Sequence, residues 1–349
     1  MMATRVSVQI VAPTGEEDNA RAAIAACFEW LEEVERRLTR FQPESELSRL
    51  NATPGAWVFA SGLLYEMAEQ SLLAAERSGG LFDPTVLSAL EALGYDRDFA
   101  EIAHAEVSAG DPAARAHRPD WRGIELNHER RRIRLREGTR IDLGGIAKGW
   151  AADVALESFF GDFPNVLINV GGDLRARGRH RKGEPWPVGV GDPRNGNGPE
   201  EERHLAVLTL GRGGLATSGA TGRWWYHNGE RQHHLLDPRT GQPMRIWVSA
   251  TDGAVAEEPL IASATALAPS AAHAEVAAKV ALLRGYPDAL RAVEEAWVGW
   301  RASGSPQPEP YGDAGVALLL VLGTGEAVYS AHLPDYLKTL GGGGNIWLT

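Results

Sequence analysis

The sequence predicts one mixed α/β domain spanning residues 1–349, on three observations. Strand-like and helix-like segments follow one another without a regular strand–helix–strand beat, so an α/β or α+β arrangement of mixed sheets with surface helices fits. No internal repeat or interdomain linker divides the chain; the Pro-rich Ser303–Pro310 stretch is too short and too near the end to bound a domain. At 44% hydrophobic and 23% charged residues, the composition is that of a globular protein with a large core, which excludes general disorder.

The elements follow in order. Alternation from Thr4 to Val11 predicts a strand, and Ala23, Cys27, Trp30, Leu31, Val34 and Leu38 recur at helical steps across Glu17–Leu38. The polar run Phe41–Asn51 opens a short helix, and a second helix from Gly62 to Ser78 stops at Gly79-Gly80. Residues 94–120 are acidic and weakly patterned, which predicts a surface excursion. Gly123–Leu126 and Arg132–Leu135 alternate as a hairpin. Ile141–Phe160 reads as a short strand, a glycine turn and an amphipathic helix, and Val166–Val170 as a buried strand ending at Gly171-Gly172. Arg179–Glu202, rich in Gly, Pro and Arg, predicts an exposed loop; strands follow at Leu205–Leu210 and Leu215–Ser218. An extra loop covers about 244–259, long for a compact domain. Ile261–Leu267 is then a strand, Ala271–Leu283 a helix, and Ala317–Leu322 with Glu326–Tyr329 a final strand pair.

Charge and cysteine usage exclude several function classes. With 35 Lys plus Arg against 46 Asp plus Glu the net charge is −11, so duplex nucleic acid and anionic membranes, which attract clustered cations, are not expected partners. The one cysteine, Cys27, rules out a disulfide framework and a CxxC zinc site. No apolar run is long enough to span a membrane. Ile24-Ala25-Ala26-Cys27 mimics a lipoprotein cleavage site, but charged residues precede it, and the expectation is a cytoplasmic protein with Cys27 buried in a helix.

The chemistry concentrates in turns. In Asp142-Leu143-Gly144-Gly145-Ile146-Ala147-Lys148 two glycines at a helix start permit close backbone approach, and Lys148 offers a point charge suited to a phosphate oxygen. The spacing is neither GxGxxG nor GxxxxGKS, so a plain glycine turn with a solvated lysine competes with phosphate binding. Asn169-Val170-Gly171-Gly172-Asp173 is a second flexible strand end, with a tight turn capped by Asp173 as the alternative. His234, before Leu235-Leu236-Asp237-Pro238, is either structural or a general base. Trp224, Trp225, Tyr226 and Trp247 could stack on a planar ligand or serve the core.

Taken in order, FQPESELSRLN, GLFDPTV, IDLGGIAKGWAAD, INVGGDLRARG, LATSG, HHLLDPRTGQP and SATALAPSAAHAE resemble the FAD:protein FMN transferase (ApbE) family over about residues 2–330. The resemblance implies a single T-fold-like domain that binds FAD, uses Mg²⁺, moves FMN onto a threonine hydroxyl of an acceptor flavoprotein with an FMN-binding domain, and releases AMP. It implies that Phe41, Leu81, Phe82, Asp83, Asp142, Lys148 and Leu236 contact FAD, and that His234, at an ordinary histidine pKa, takes the acceptor's proton. The metal positions fall on the Gly145 carbonyl and on Glu275, Ala278 and Lys279.

Two departures stand out. Where the family has Asp and Thr in A-D-A-x-x-T, this chain has Glu275 and Lys279. An ammonium about 4 Å from a divalent cation costs several kcal/mol at intermediate dielectric. The lipoprotein leader usual in the family is also not seen in the sequence. The expectation is thus a transferase with a remodelled metal site, or alternatively a catalytically impaired FAD-binding protein of the same fold in which Lys279 replaces the metal.

Overall fold

The computed structural model describes residues 4–107, 118–195, 204–247, 259–297, 316–340 and 346–348. Apolar runs without polar alternation make strands that must be covered on both faces. Val166–Val170 and Ala317–Leu322 are such runs, and both lie inside an eight-stranded sheet. Its order is Val6–Ile10, Val166–Val170, Asp173–Arg177, Arg212–Gly219, Ile261–Ala268, Ala317–Leu322, Ala327–Tyr329 and Ile346–Leu348. All pairs are antiparallel except the last.

The two sides of each central strand serve different cores. Val166, Ile168, Ala216, Ala264, Ala266, Leu318 and Leu320 point to the helices α1 (Glu17–Leu38), α2 (Glu46–Asn51) and α3 (Gly62–Arg77) and the later long helices. Leu167, Leu174, Leu215, Leu267 and Leu319 pack on a three-stranded sheet of Trp186–Gly191, His204–Leu210 and Leu337–Leu340. Trp186–Gly191 lies within the segment expected to be an exposed loop. Its residues alternate between buried and exposed, and Trp186, Val188 and Val190 cover the central sheet. Gly and Pro content hid a strand whose prolines and glycines face outward.

Helix limits follow their caps. Ser45 and Ser61 accept the Ser48 and Leu64 N–H groups at the starts of α2 and α3, and α3 ends with the Gly80 N–H on the Ala75 carbonyl, Gly79 and Gly80 both at positive φ. Next come α4 (Leu87–Ala92) and α5 (Phe99–Ile102). The stretch from residue 94 is therefore more than a surface excursion up to residue 107. Leu93, Tyr95, Ile102 and Val107 build a third core with Trp225 and Leu236, while 108–117 lie outside the described residues.

The expected strand at Ile141–Leu143 is absent; that segment is extended but pairs with no ladder, and its backbone bonds go to Pro84 and the Asn51 side chain instead. The helix after it, α6 (Ala147–Phe159), is buried on several sides rather than amphipathic. The same holds for α7 (Ala271–Arg284), where Ala271, Ala274, Ala277, Ala278 and Ala281 are fully enclosed. Neither is a surface helix, because small residues let the sheet and α6 close on α7 from two sides. A Cβ on Gly149 would stand 2.5 Å from the Ala271 carbonyl oxygen, and one on Gly214 would stand 2.2 Å from the Ala271 nitrogen. Helix α8 (Asp288–Trp297) closes the set. Most of the extra loop, residues 248–258, lies outside the described residues; Met244 and Ile246 at its start are buried. No helix among the described residues is long and apolar enough to cross a membrane.

Candidate active site

A carboxylate in a helix as enclosed as α7 must find its partners inside the protein. Glu275 is 1% exposed and finds three. Its Oε1 accepts from Lys148 Nζ at 2.9 Å and Lys279 Nζ at 3.2 Å, and its Oε2 from the Gly149 N–H at 2.9 Å. Lys148 also pairs closely with Asp173. The pairing follows from the fold. Ala271, Glu275 and Lys279 form an i, i+4, i+8 stripe on α7, Lys148 is the second residue of α6, and Asp173 follows the Gly171-Gly172 turn, both glycines at positive φ.

The two ammoniums and two carboxylates balance, but not in position. The carboxylate side chains are 1–2% exposed, whereas the Lys148 and Lys279 side chains are 18% and 15% exposed, and Lys148 is the member of the cluster that lines the neighbouring cleft. Burial alone would raise the Glu275 carboxyl; the Lys148 and Lys279 charges and the Gly149 N–H outweigh it and hold it below the usual carboxylate range. For Lys148, burial pushes the ammonium downward, Glu275 opposes, and Lys279 adds to the fall.

Lys148 lines a cleft of about 130 Å³ together with Arg40, Phe41, Tyr95, Phe99, Asp142, Gly144 and Arg223. Part of its wall is aromatic. The Arg40 guanidinium sits 4.2 Å from the Phe41 ring and 4.4 Å from the Tyr95 ring, and Arg40 Nε meets Asp142 Oδ2 at 3.0 Å. Arg40 Nη2 is buried and has no hydrogen-bond partner among the described residues. Asp142 also accepts the Gly144 N–H at 2.7 Å, which shapes the glycine turn.

The helix-start donors expected to meet phosphate are partly used within the chain: the Ile146 and Ala147 N–H groups go to Leu143 and the Gly149 N–H to Glu275. Charge toward a ligand therefore comes from side chains. His234 is held neutral rather than near an ordinary pKa. Burial first, then the charges of Arg223, His233 and Lys279, push it well below the normal imidazole value. Its Nδ1 is enclosed and lacks a partner among the described residues.

Of the other expected site residues, Leu81 and Phe82 are buried behind the turn, and the Phe82 ring stands 3.0 Å from where a Gly145 Cβ would be. Asp83 spends its oxygens on the Thr85 N–H and hydroxyl and the Trp121 N–H. Leu236 packs in the third core beside Trp225. Trp225 is fully buried with its indole N–H on the Leu93 carbonyl, and Trp224 stacks between His104 and Arg231, so this cluster is occupied by the protein itself. Trp247 packs over Gly323.

Of the metal positions, Glu275 is engaged by Lys148, Lys279 and the Gly149 N–H, Ala278 can offer only its backbone carbonyl, and Lys279 brings an ammonium; among the described residues no group of three or more His, Cys, Asp or Glu gathers for a cation. Asp173, Arg40, Tyr95, Phe99 and Arg223 join the site without having been singled out for it. Asp173 and Arg40 lie in or beside quoted motifs, but Tyr95, Phe99 and Arg223 are brought in only by folding.

Comparison with known proteins gives a consistent picture. The model of the family described as ApbE matches residues 2–300. A Treponema pallidum protein named FAD:protein FMN transferase is 31% identical over 311 residues, covering 82% of this chain and 80% of the relative. A Haemophilus influenzae protein of the same name is 25% identical over 277 residues, covering 76% and 73%. Among solved structures, the ApbE protein of Thermotoga maritima aligns with a TM-score of 0.75 at 23% identity over 97% of both chains. The flavin transferase ApbE of Vibrio cholerae aligns with a TM-score of 0.72 at 21% identity, again over 97% of both. At those identities the two structures speak for the fold.

Proposed function

This chain belongs to the ApbE family, and from that premise we propose that it is an FAD:protein FMN transferase, moving the FMN half of FAD onto a threonine hydroxyl of an acceptor flavoprotein and releasing AMP. The observation that carries this reading is the mixed lining of the cleft: the rings of Phe41, Tyr95 and Phe99 share its wall with Lys148 and Arg223, the Arg223 guanidinium 6.0 Å from the Phe99 ring centroid. A flavin or adenine ring suits the aromatic side chains and a diphosphate the cations beside them.

The chain's own groups then divide the work. Lys148 and Arg223 offset charge on the diphosphate as it grows on the leaving AMP. The acceptor oxygen attacks the FMN phosphorus, the P–O bond to AMP breaks, and AMP leaves with that electron pair. His234 takes the hydroxyl proton, for which it must be neutral, as its surroundings hold it. A diphosphate bound nearby offsets part of the positive field of Arg223 and Lys279 and so makes the ring more basic when a proton has to be accepted. Asp142 shapes the turn and fixes Arg40 beside the aromatic rings.

The test is incubation with FAD and an FMN-binding acceptor domain, followed by intact mass and nucleotide analysis. The reading requires one FMN added per acceptor with equimolar AMP. Absence of both, in a folded protein that turns over neither with nor without added divalent metal, would remove it.

A further inference from the structure

We propose that this chain carries the counter-charge for its diphosphate ligand as fixed side chains, Lys279 beside Lys148 on Glu275, so that FAD binds without a divalent metal. The proposal rests on the FAD reading above and concerns the same site.

The residues present do not fit the family's metal. Mg²⁺ demands near-octahedral oxygen ligands at about 2.0–2.1 Å. The carboxylate that would supply them, Glu275, already has Oε1 shared by two ammoniums at 2.9 and 3.2 Å and Oε2 on a backbone N–H at 2.9 Å. A cation entering here would have to displace Lys279 from a place where it is well held. Its stem runs past the glycine turn, with Cε 3.8 Å from the position of a Gly145 Cβ. The side chain is 15% exposed, and its Nζ also reaches the Glu275 carbonyl at 3.4 Å. Swinging to the helix surface would leave Glu275, 1% exposed, with one counter-charge fewer in a low dielectric.

Lys279 also stands where a counter-charge is useful. The carboxylates of Asp173 and Glu275 are 2% and 1% exposed; Lys148 lines the cleft, and Lys279 shares Glu275 Oε1 with it, its Cε 3.8 Å from the position of a Gly145 Cβ and its charge felt by His234. An ammonium held in this way gives one unit of charge and up to three donors, pre-positioned by helix α7, and costs no ion recruitment. Lys279 thus adds one unit of positive charge beside Lys148, half of what a divalent cation would bring.

The test uses the full-length protein. FAD affinity is measured by calorimetry in excess EDTA and again with Mg²⁺, and Mn²⁺ binding to the FAD-free protein is followed by the loss of its free-ion EPR signal. The expected result is FAD affinity equal within about twofold in the two conditions and no Mn²⁺ uptake. Lys279→Met should weaken metal-free FAD binding by about tenfold, the effect of one lost charge contact. Glu275→Asp with Lys279→Thr should take up Mn²⁺ and make FAD binding Mg²⁺-dependent, with circular dichroism confirming that both variants fold. A tenfold or greater gain in FAD affinity on adding Mg²⁺ to the unaltered chain, or Mn²⁺ uptake by it, overturns the built-in counter-charge alone. No FAD binding in either condition overturns the transferase reading and this proposal with it.

Discussion

Removing the Lys148 ammonium leaves Asp173 and Glu275 buried side by side with only Lys279 to offset them. Lys148→Ala should therefore cost about 3 kcal/mol of stability at neutral pH in addition to weakening FAD binding. The sign with pH follows from Glu275, whose folded pKa lies below its unfolded value near 4.5. Its stabilisation is complete above that value and is lost as pH falls through the folded one, so urea melts should show the deficit shrinking below about pH 4.5. An equal deficit at pH 7 and pH 3.5 would argue against this ion cluster. Arg223 acts on a second group. Arg223→Gln should weaken FAD binding by about tenfold, and by taking a positive charge from beside His234 it should move the acid limb of the transfer–pH profile upward. Because burial remains the larger cause, that limb should stay below 6.5. An unmoved limb would mean that His234 does not take the proton.

At the scale of elements, the site depends on how closely α6 and α7 approach. Gly149 is the contact: a Cβ there would meet the Ala271 carbonyl at 2.5 Å and the Ala272 nitrogen at 2.6 Å, both backbone atoms that cannot rotate away. Gly149→Ala should force the helices apart, destabilise the protein by about 1–3 kcal/mol in chemical denaturation, and stretch the Gly149 N–H bond to Glu275. A loss under about 0.5 kcal/mol would mean that the interface yields more easily than its backbone contacts imply. Asp153 ties the same pair together, its two oxygens accepting the Ala271 and Ala272 N–H groups at the start of α7.

Over the whole molecule, buried histidines set the acid side of stability. Burial pushes His233 to about 4 and His273 to about 3, with both residues 4–5% exposed. Above about 6.5 the folded and unfolded chains both hold them neutral, and there they have no effect on pH dependence. Below it the unfolded chain takes up protons that the folded one refuses, so stability should fall by a few kcal/mol between pH 7 and pH 5. His233→Gln with His273→Asn should flatten that slope in thermal melts, and an unchanged slope would place its origin elsewhere.

Much of this protein was legible in its sequence because local signals and global fold agree. Glu17–Leu38, Val166–Val170 and Ala271–Arg284 could be placed by periodicity, apolar runs and capping residues, which act within a few residues of chain. The ordered motifs carried the family and, through it, Phe41, Asp142, Lys148, His234, Glu275 and Lys279. Three things required the tertiary structure. Trp186–Gly191 is a strand because the central sheet has a second apolar face to cover, which no property of that Gly- and Pro-rich segment announces. Tyr95, Phe99 and Arg223 enter the cleft from segments far apart in sequence. The protonation of His234 was decided by burial and by the charges of Arg223, His233 and Lys279, and Lys279 is held by Glu275 on its own helix, which Lys148 reaches from 127 residues away, since electrostatic energy depends on distance in space and on the exclusion of water. Sequence determined which groups are present; folding decided which of them share a low-dielectric site and face one another there.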